Sequence, residues 1–446
     1  MKIALLAPAG AMHRFNGSFG RALHYAPLTL TTLAALVPAE LEAEVVIYDE
    51  TIEGIPLDLQ ADLIAITAIT GTSERCYRYA RYFRSRGITV ALGGVHPTLM
   101  PEEAGRHADA VMVGLGDLTW PQLLRDFKGT GRVAPFYRQS GEISLAGRPA
   151  PRRDLLKQGA YVTMNSVEAV RGCSLPCTFC AYPAAFGRHV LKRPVAEVIR
   201  EIEQLPGKEV LFPDVNLIAD RDYAVSLFTA MIPLKRWWFG LVTSSVGIDD
   251  ALIALFRRSG CKGLLIGFES VSQGSQQYIN KGVNKVEEYE LLMKKLHHAG
   301  IMVNGCFAFG GDNDQKDVFE RTVETVIRLK IDLPRYSILT PFPGTQLYQE
   351  MKAAGRITER HWAMYDVEHC VFQPRHMTAA ELTAGIEWAW RATYTGPAIA
   401  RRLAWPKSLL PVSLPANLGY RHYADKFSRF TREVMTDDSD IPEALR

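Results

Sequence analysis

The sequence predicts an α/β protein with an N-terminal doubly wound parallel sheet, a partial (β/α)6 barrel and a helical C-terminal extension. Three observations predict it. Short apolar runs alternate with helix-length segments over residues 2–130, the same alternation resumes near residue 161, and it ends near 375 in basic, aromatic, helical sequence. Strands separated by helices pair in parallel, because a parallel crossover needs a helix-length connection.

In the first part, Lys2–Ala7, Glu44–Asp49, Ala61–Thr67, Ile88–Gly93 and Ala110–Val113 read as strands. Leu28–Leu36 and Ser73–Arg86 read as helices; in the second, Cys76, Tyr79, Ala80 and Phe83 fall on one face. Open parallel sheets bind ligands at the carboxyl ends of their strands. Here those ends carry Thr70-Gly71-Thr72-Ser73, Gly93-Gly94-Val95-His96-Pro97-Thr98 and Gly114-Leu115-Gly116-Asp117. Residues 131–160, with scattered Pro and Gly, read as a linker between a domain at 1–130 and a barrel at 161–374. The barrel strands are expected at Val167–Arg171, Val210–Asp214, Trp238–Thr243, Gly263–Phe268, Met302–Phe309 and Tyr336–Leu339, with helices such as Val195–Gln204, Ala251–Arg258 and Glu287–His298 between them. Six units are too few for a closed eight-stranded barrel. Residues 375–446 form the extension, beginning with a helix at Ala379–Tyr394.

Composition narrows the function. The 446 residues hold 51 Lys and Arg against 48 Asp and Glu, a net charge of +3 that makes no electrostatic case for nucleic acid. Seven Cys are too few, and odd in number, for a disulfide framework. No apolar stretch reaches the roughly 18–20 residues of a membrane span, and the start lacks the features of a signal peptide. The expectation is a cytoplasmic protein in a reducing compartment.

The chemistry is concentrated in Arg171-Gly172-Cys173-Ser174-Leu175-Pro176-Cys177-Thr178-Phe179-Cys180. Three Cys in a C-x3-C-x2-C loop can hold one face of an iron–sulfur cubane. Three ligands for four irons leave one iron open to a substrate group. The alternative is a zinc knuckle, which needs a fourth ligand; the nearest downstream His is His189, well outside the loop. Cys76, Cys261, Cys306 and Cys370 are scattered and read as small buried apolar residues.

The Cys spacing, with Phe179 just before the third Cys, resembles the radical S-adenosylmethionine (SAM) superfamily. The resemblance implies a [4Fe–4S] cluster on Cys173, Cys177 and Cys180, whose open iron binds SAM and whose electron cleaves it to a 5′-deoxyadenosyl radical. By position it implies SAM contacts from Asp214 in Leu211-Phe212-Pro213-Asp214-Val215-Asn216, from Glu269 to the ribose, from Thr243, Ser244 and Ser245, and from Phe307, Phe309 and Gly310 by close backbone approach. Tyr182 falls where adenine is met.

The N-terminal domain resembles the cobalamin-binding domain of one radical SAM class, through Ile88–Thr98, Pro101-Glu102-Glu103 and Val113–Leu124. A nicotinamide domain competes, but no G-x-G-x-x-G follows the first strand. The resemblance makes Thr72, Ser73, Gly93, Gly94, His96, Thr98 and Gly114 the candidate corrinoid contacts. The first loop departs from the cobalt-ligating D-x-H-x-x-G: His13 is present, but Ala11 replaces Asp and Asn16 replaces Gly. Beyond the barrel, Thr340–Thr345, Gly355-Arg356-Ile357, Trp362, Tyr365-Asp366 and His369–Phe372 resemble a subgroup with hopanoid and other lipid methylases and the anaerobic tetrapyrrole cyclase.

Together these imply methyl transfer through methylcobalamin to an unactivated carbon of a lipid-like or polycyclic substrate, with a flavodoxin or ferredoxin as electron donor. A radical oxidative cyclase or ring-rearranging enzyme is the alternative, and a non-catalytic corrinoid or iron–sulfur sensor the third. The segment 396–434 mixes Arg401, Arg402 and Lys407 with Trp405, Tyr420, Tyr423, Phe427 and Phe430. It sets up two expectations: peripheral contact with the inner face of the membrane, or a lid helix packed on the barrel.

Overall fold

Strands covered on both faces must be apolar along their whole length, and the first part of the chain obeys this. Ile3, Ala4, Leu5 and Leu6 are fully buried, as are Leu63 and Ile64. In the computed structural model, which describes residues 1–10, 25–403, 410–433 and 443–445, strands β1 (Lys2–Ala7), β2 (Glu44–Asp49), β3 (Leu63–Thr67), β4 (Thr89–Gly93), β5 (Ala110–Val113) and β6 (Phe136–Arg138) form one parallel sheet in the order β2-β1-β3-β4-β5-β6. His13 and its loop lie outside the described residues. The strand β6 comes from the stretch read as a linker. Its three residues are too few to show a period, but Tyr137 is buried and the strand pairs with Val111–Val113. Helix Ser73–Ser85 buries Cys76, Tyr79, Ala80 and Phe83 against this sheet, as its spacing predicts, and Tyr77 as well.

The second sheet is also parallel. Strands β9 (Glu209–Phe212), β10 (Trp237–Val242), β11 (Cys261–Glu269), β12 (Met302–Phe309) and β13 (Leu333–Ile338) lie side by side in chain order. The expected first barrel strand is present in part. Val167 donates to the Leu211 carbonyl and Leu211 to that of Asn165, and the chain then forms a short antiparallel hairpin, β7 (Val170–Arg171) with β8 (Leu191–Lys192). The last strand starts earlier than Tyr336 because Pro334 hides its beginning in the sequence; an outermost strand tolerates proline.

The extension packs on the barrel. Trp390, on helix Ala379–Thr393, is surrounded by Tyr336, Tyr394, Tyr420, Tyr423 and Phe427. Arg402 is fully buried, donating to the carbonyls of Ile331, Asp332 and Thr393 and to Asn417. These aromatic residues and Arg402 pack on the barrel, as the lid-helix expectation has it, while Arg401 is exposed. Trp405 and Lys407 lie outside the described residues. No helix among the described residues is long and apolar enough to cross a membrane.

Candidate active site between the two sheets

The cysteine loop leaves the hairpin at a glycine that no other residue can replace. Gly172 has φ +118°, and a Cβ there would sit 1.9 Å from the His189 carbonyl oxygen. The loop is pinned on both sides by Thr178, whose N–H donates to Ile279 and whose carbonyl accepts from Leu347. Cys173, Cys177 and Cys180 are free and half-buried, and Phe179 packs on the barrel core. Burial pushes the Cys177 thiol up to about 12, with Lys281 pulling the other way and the neighbouring Cys180 adding to the rise. Burial raises Cys180 as well. Such thiols become ligands only when a metal displaces the proton. Asn216 Nδ2 donates to Cys173 Sγ at 3.8 Å. The hairpin brings the His189 backbone against the loop, yet no three His, Cys, Asp or Glu among the described residues gather as a single-ion site. The donor set, three thiols on one tight loop, fits a multi-iron cluster.

Two carboxylates stand at barrel strand ends. Asp214 is buried; its Oδ1 accepts from the Ala169 and Val170 N–H groups, while its Oδ2 has no partner. Burial, helped by the Glu168 charge, raises its pKa to about 8. A buried orphan oxygen of this kind fits a cationic ligand group. Glu269 ends β11 with φ +59°, an uncommon conformation for a side-chain-bearing residue, where the pairing with β12 shifts register. Its Oε1 lies 2.5 Å from Lys281 Nζ, which also donates to the Gly267 carbonyl at 3.0 Å. Burial works against the Lys281 charge, but Glu269 more than offsets it and raises its pKa. Lys281 was not visible as a site residue in the sequence. The Ser245 hydroxyl bonds to that of Thr243 at 2.7 Å. At Gly310 a Cβ would meet Leu382 and Phe372, and its N–H donates to Asp314, so packing also requires the glycine.

A cavity of about 480 Å³ opens between the sheets. On one side lie the strand ends of the first sheet, with Thr67, Gly93, Gly94, Met112, Gly114 and Leu115. On the other lie Arg171, Gly172, Tyr182, Pro213 and Asp214. Gly94 lets β4 turn tightly, since a Cβ would sit 2.6 Å from the Ala68 carbonyl oxygen. Four charges meet at the border. Asp117 and Glu168 each bind both Arg148 and Arg171, with Arg171 at 2.7 Å from each.

Of the candidate corrinoid contacts, Gly93, Gly94 and Gly114 wall the cavity. The other four are not among its lining residues. Thr72 and Ser73 bond back into their own turn, which packs against the Trp362–Met364 turn. Thr98 bonds to the Gly94 carbonyl and accepts from the Gly114 N–H, holding the two glycine turns together. His96 is fully buried, with its ring nitrogens facing Thr70 and Glu103 and its ring edge-on to Trp362. These side chains shape the wall from behind.

Inside the barrel, half-buried residues alternate with buried ones along β10–β13, so the inner face borders open space. Cys306 faces that lumen rather than the core, whereas Cys76 and Cys261 are buried as expected and Cys370 is half-buried.

The fold and site agree with what the chain is similar to. Residues 167–326 match the radical SAM superfamily and residues 23–124 the B12 binding domain. The bacteriochlorophyllide d C-12(1)-methyltransferase of Chlorobaculum tepidum is 30% identical over 389 residues, covering 84% of each chain. The chain belongs to the cobalamin-binding radical SAM methylases. A second member of this family, the bacteriochlorophyllide d C-8(2)-methyltransferase of the same organism, is 26% identical and covers 91% of this chain and 93% of its own. In architecture the methylase resembles the radical SAM methyltransferase TsrM of Kitasatospora setae, solved with tryptophan and a SAM analogue, with a TM-score of 0.65, 16% identity and coverage of 98% and 100%. The cofactors of this methylase family are a [4Fe–4S] cluster, SAM and cobalamin.

Proposed function

We propose that this methylase transfers a methyl group to an unactivated carbon of a polycyclic substrate, and that the substrate class is a tetrapyrrole. One observation carries the mechanism: the cysteine loop's Gly172 and the glycine turns of the first sheet wall the same cavity. The two relatives named above favour the tetrapyrrole class. When bound, the cluster supplies the electron that splits SAM and the corrinoid supplies the methyl group. The chain's own residues do the rest. Cys173, Cys177 and Cys180 hold the cluster. Asp214 Oδ2 accepts a cationic group of SAM, and Glu269, released from Lys281, accepts its ribose hydroxyls. Gly93, Gly94 and Gly114 let a flat ring approach backbone, and Tyr182 lies on the facing wall. The apolar walls around Leu33, Met112 and Val170 keep water from a reactive intermediate. A flavodoxin or ferredoxin supplies reducing equivalents.

A lipid-like substrate delivered at the membrane surface is the second reading. What favours it is a run of exposed apolar residues, Val412, Leu414 and Leu418, on helix Leu410–Glu433. The experiment is anaerobic reconstitution with iron, sulfide and hydroxocobalamin, then turnover with methyl-deuterated SAM and a chlorin acid. Label in the product supports methyl transfer. Formation of 5′-deoxyadenosine with a product that gains no methyl replaces it by the cyclase chemistry, and intact SAM overturns both.

A further inference from the structure

The barrel lumen contains a guanidinium without an anion. On β13, Pro334 and Tyr336 are buried on the helix side, whereas Arg335, between them, is exposed. Its neighbour across the ladder is Cys306, itself lumen-facing. Arg335 is thus accessible from the space the barrel surrounds. Among the described residues it has no ion pair and no hydrogen bond.

The enclosed arginines are not left this way. Arg402 has four acceptors, Arg148 and Arg171 share Asp117 and Glu168, and Arg193 is paired with Glu201. Lys281, buried at the strand ends, is held by Glu269. A solvent-accessible guanidinium with no anion of its own is free to take one from a ligand. The surroundings fit that role. Two residues below Cys306 on the same strand, Asn304 has a buried side-chain oxygen with no partner; amide oxygen and nitrogen are interchangeable by rotation. From the C-terminal helix, Tyr420 packs, as Phe239 does, on Met302 and Leu333, which form an apolar floor, and its phenol is an electrostatic neighbour of the guanidinium.

We propose that Arg335 binds a carboxylate of the substrate, with Asn304 and Tyr420 beside it, so that the enzyme selects an acid over the matching ester. A guanidinium and a carboxylate match as a two-pronged pair, which fixes orientation as well as affinity. Arg335 lies three residues short of the carboxyl end of β13. At about 3.3 Å per residue the acid group sits roughly 10 Å below the rim where the cysteine loop stands. That separation suits a large rigid substrate whose acid is remote from the reacting carbon. The inference rests on the polycyclic-substrate reading above and deepens it.

The test is equilibrium binding to the reconstituted enzyme, read by ligand fluorescence, with two pairs of probes: a chlorin acid and its methyl ester, and pyrenebutyrate with pyrenebutanol. Wild-type enzyme is expected to bind each acid at least about tenfold more tightly than its neutral partner. Arg335→Gln is expected to bring both members of a pair to the neutral level, and Arg335→Lys to retain part of the preference. A preference seen only with pyrenebutyrate removes the tetrapyrrole reading and keeps the anion site. Equal binding of acid and neutral forms by the wild type overturns the proposal without any variant. So does an acid preference that survives Arg335→Gln, or failure of both acids to bind.

Discussion

The two sheets meet the same cavity with opposite materials. Apart from Thr67, the first sheet presents glycines and apolar side chains, and the polar groups Thr72, Ser73, Thr98 and His96 are bonded into the protein. The barrel presents charged and polar groups, Arg171, Tyr182 and the buried Asp214 with its orphaned oxygen, and the Gly172 from which the thiol loop departs; the thiols and the strained Glu269 lie beyond that wall. One face recognises a large flat group by shape, since close approach needs the absence of side chains. The other arranges ionisable groups to act on ligands, and perturbed protonation gathers there. If this division holds, damage to the barrel face should abolish chemistry, while damage to the glycine face should remove one cofactor and spare the other.

The largest effect is expected from Cys177→Ala. It leaves two thiols for a cluster that needs three, so iron content, the visible absorbance of the cluster and 5′-deoxyadenosine formation should all be lost. Retained iron with full turnover would break the barrel half of the comparison. Next comes Gly93→Leu. The backbone at Gly93 is unstrained, and a Cβ there meets only Met112, at 3.6 Å, so the fold should tolerate a side chain that fills the cavity wall. Corrinoid occupancy and methyl transfer should fall at least about tenfold while SAM cleavage stays near wild type. If corrinoid binding is unchanged, the glycine face has been assigned wrongly.

How much of this was legible follows the same division. The Cys loop was readable because its chemistry and spacing are local, and the strands of both sheets because buried parallel strands are continuously apolar. The helix at Ser73–Ser85 was readable from its period. The charged ring was not. Asp117, Arg148, Glu168 and Arg171 come from one helix start, two irregular stretches and one short strand, and only the fold brings them together. Lys281 and Arg335 were missed for the same reason. His96 is the opposite case. It sits beside the glycine turn in sequence, but the short helix Val95–Leu99 turns it toward Glu103 and Trp362.

A smaller, pH-dependent effect should come from Asp214. Its pKa is raised by burial to about 8, against about 4 in an unfolded chain. The folded state therefore holds a proton that the unfolded state releases between those values. The stability this confers is complete below about pH 4 and is lost as pH rises through 8. At roughly 1.4 kcal/mol per pKa unit, the cofactor-free protein should lose a few kcal/mol across that window. Asp214→Asn, which mimics the protonated form, should flatten the profile and melt higher at pH 8. It should also weaken SAM binding. A variant as pH-sensitive as wild type would mean that the carboxylate is already satisfied.

The smallest effect should come from the border itself. Arg148 connects Asp117 of the first domain to Glu168 of the barrel, and the four side chains of this ring are no more than 17% exposed. Removing Arg148 leaves two carboxylates on one guanidinium, an excess negative charge in a poorly solvated place. Arg148→Gln should cost about 2 kcal/mol, below the usual 3–5 for a buried pair because Arg171 remains. Asp117→Asn alone should cost a similar amount, since it leaves two cations on Glu168. Combined, the two substitutions restore charge balance around Arg171 and Glu168. The double variant should therefore melt close to either single one, a coupling of about 1–2 kcal/mol in a double-mutant cycle. Additive losses would show that the ring members act independently and that the two faces are aligned by packing alone.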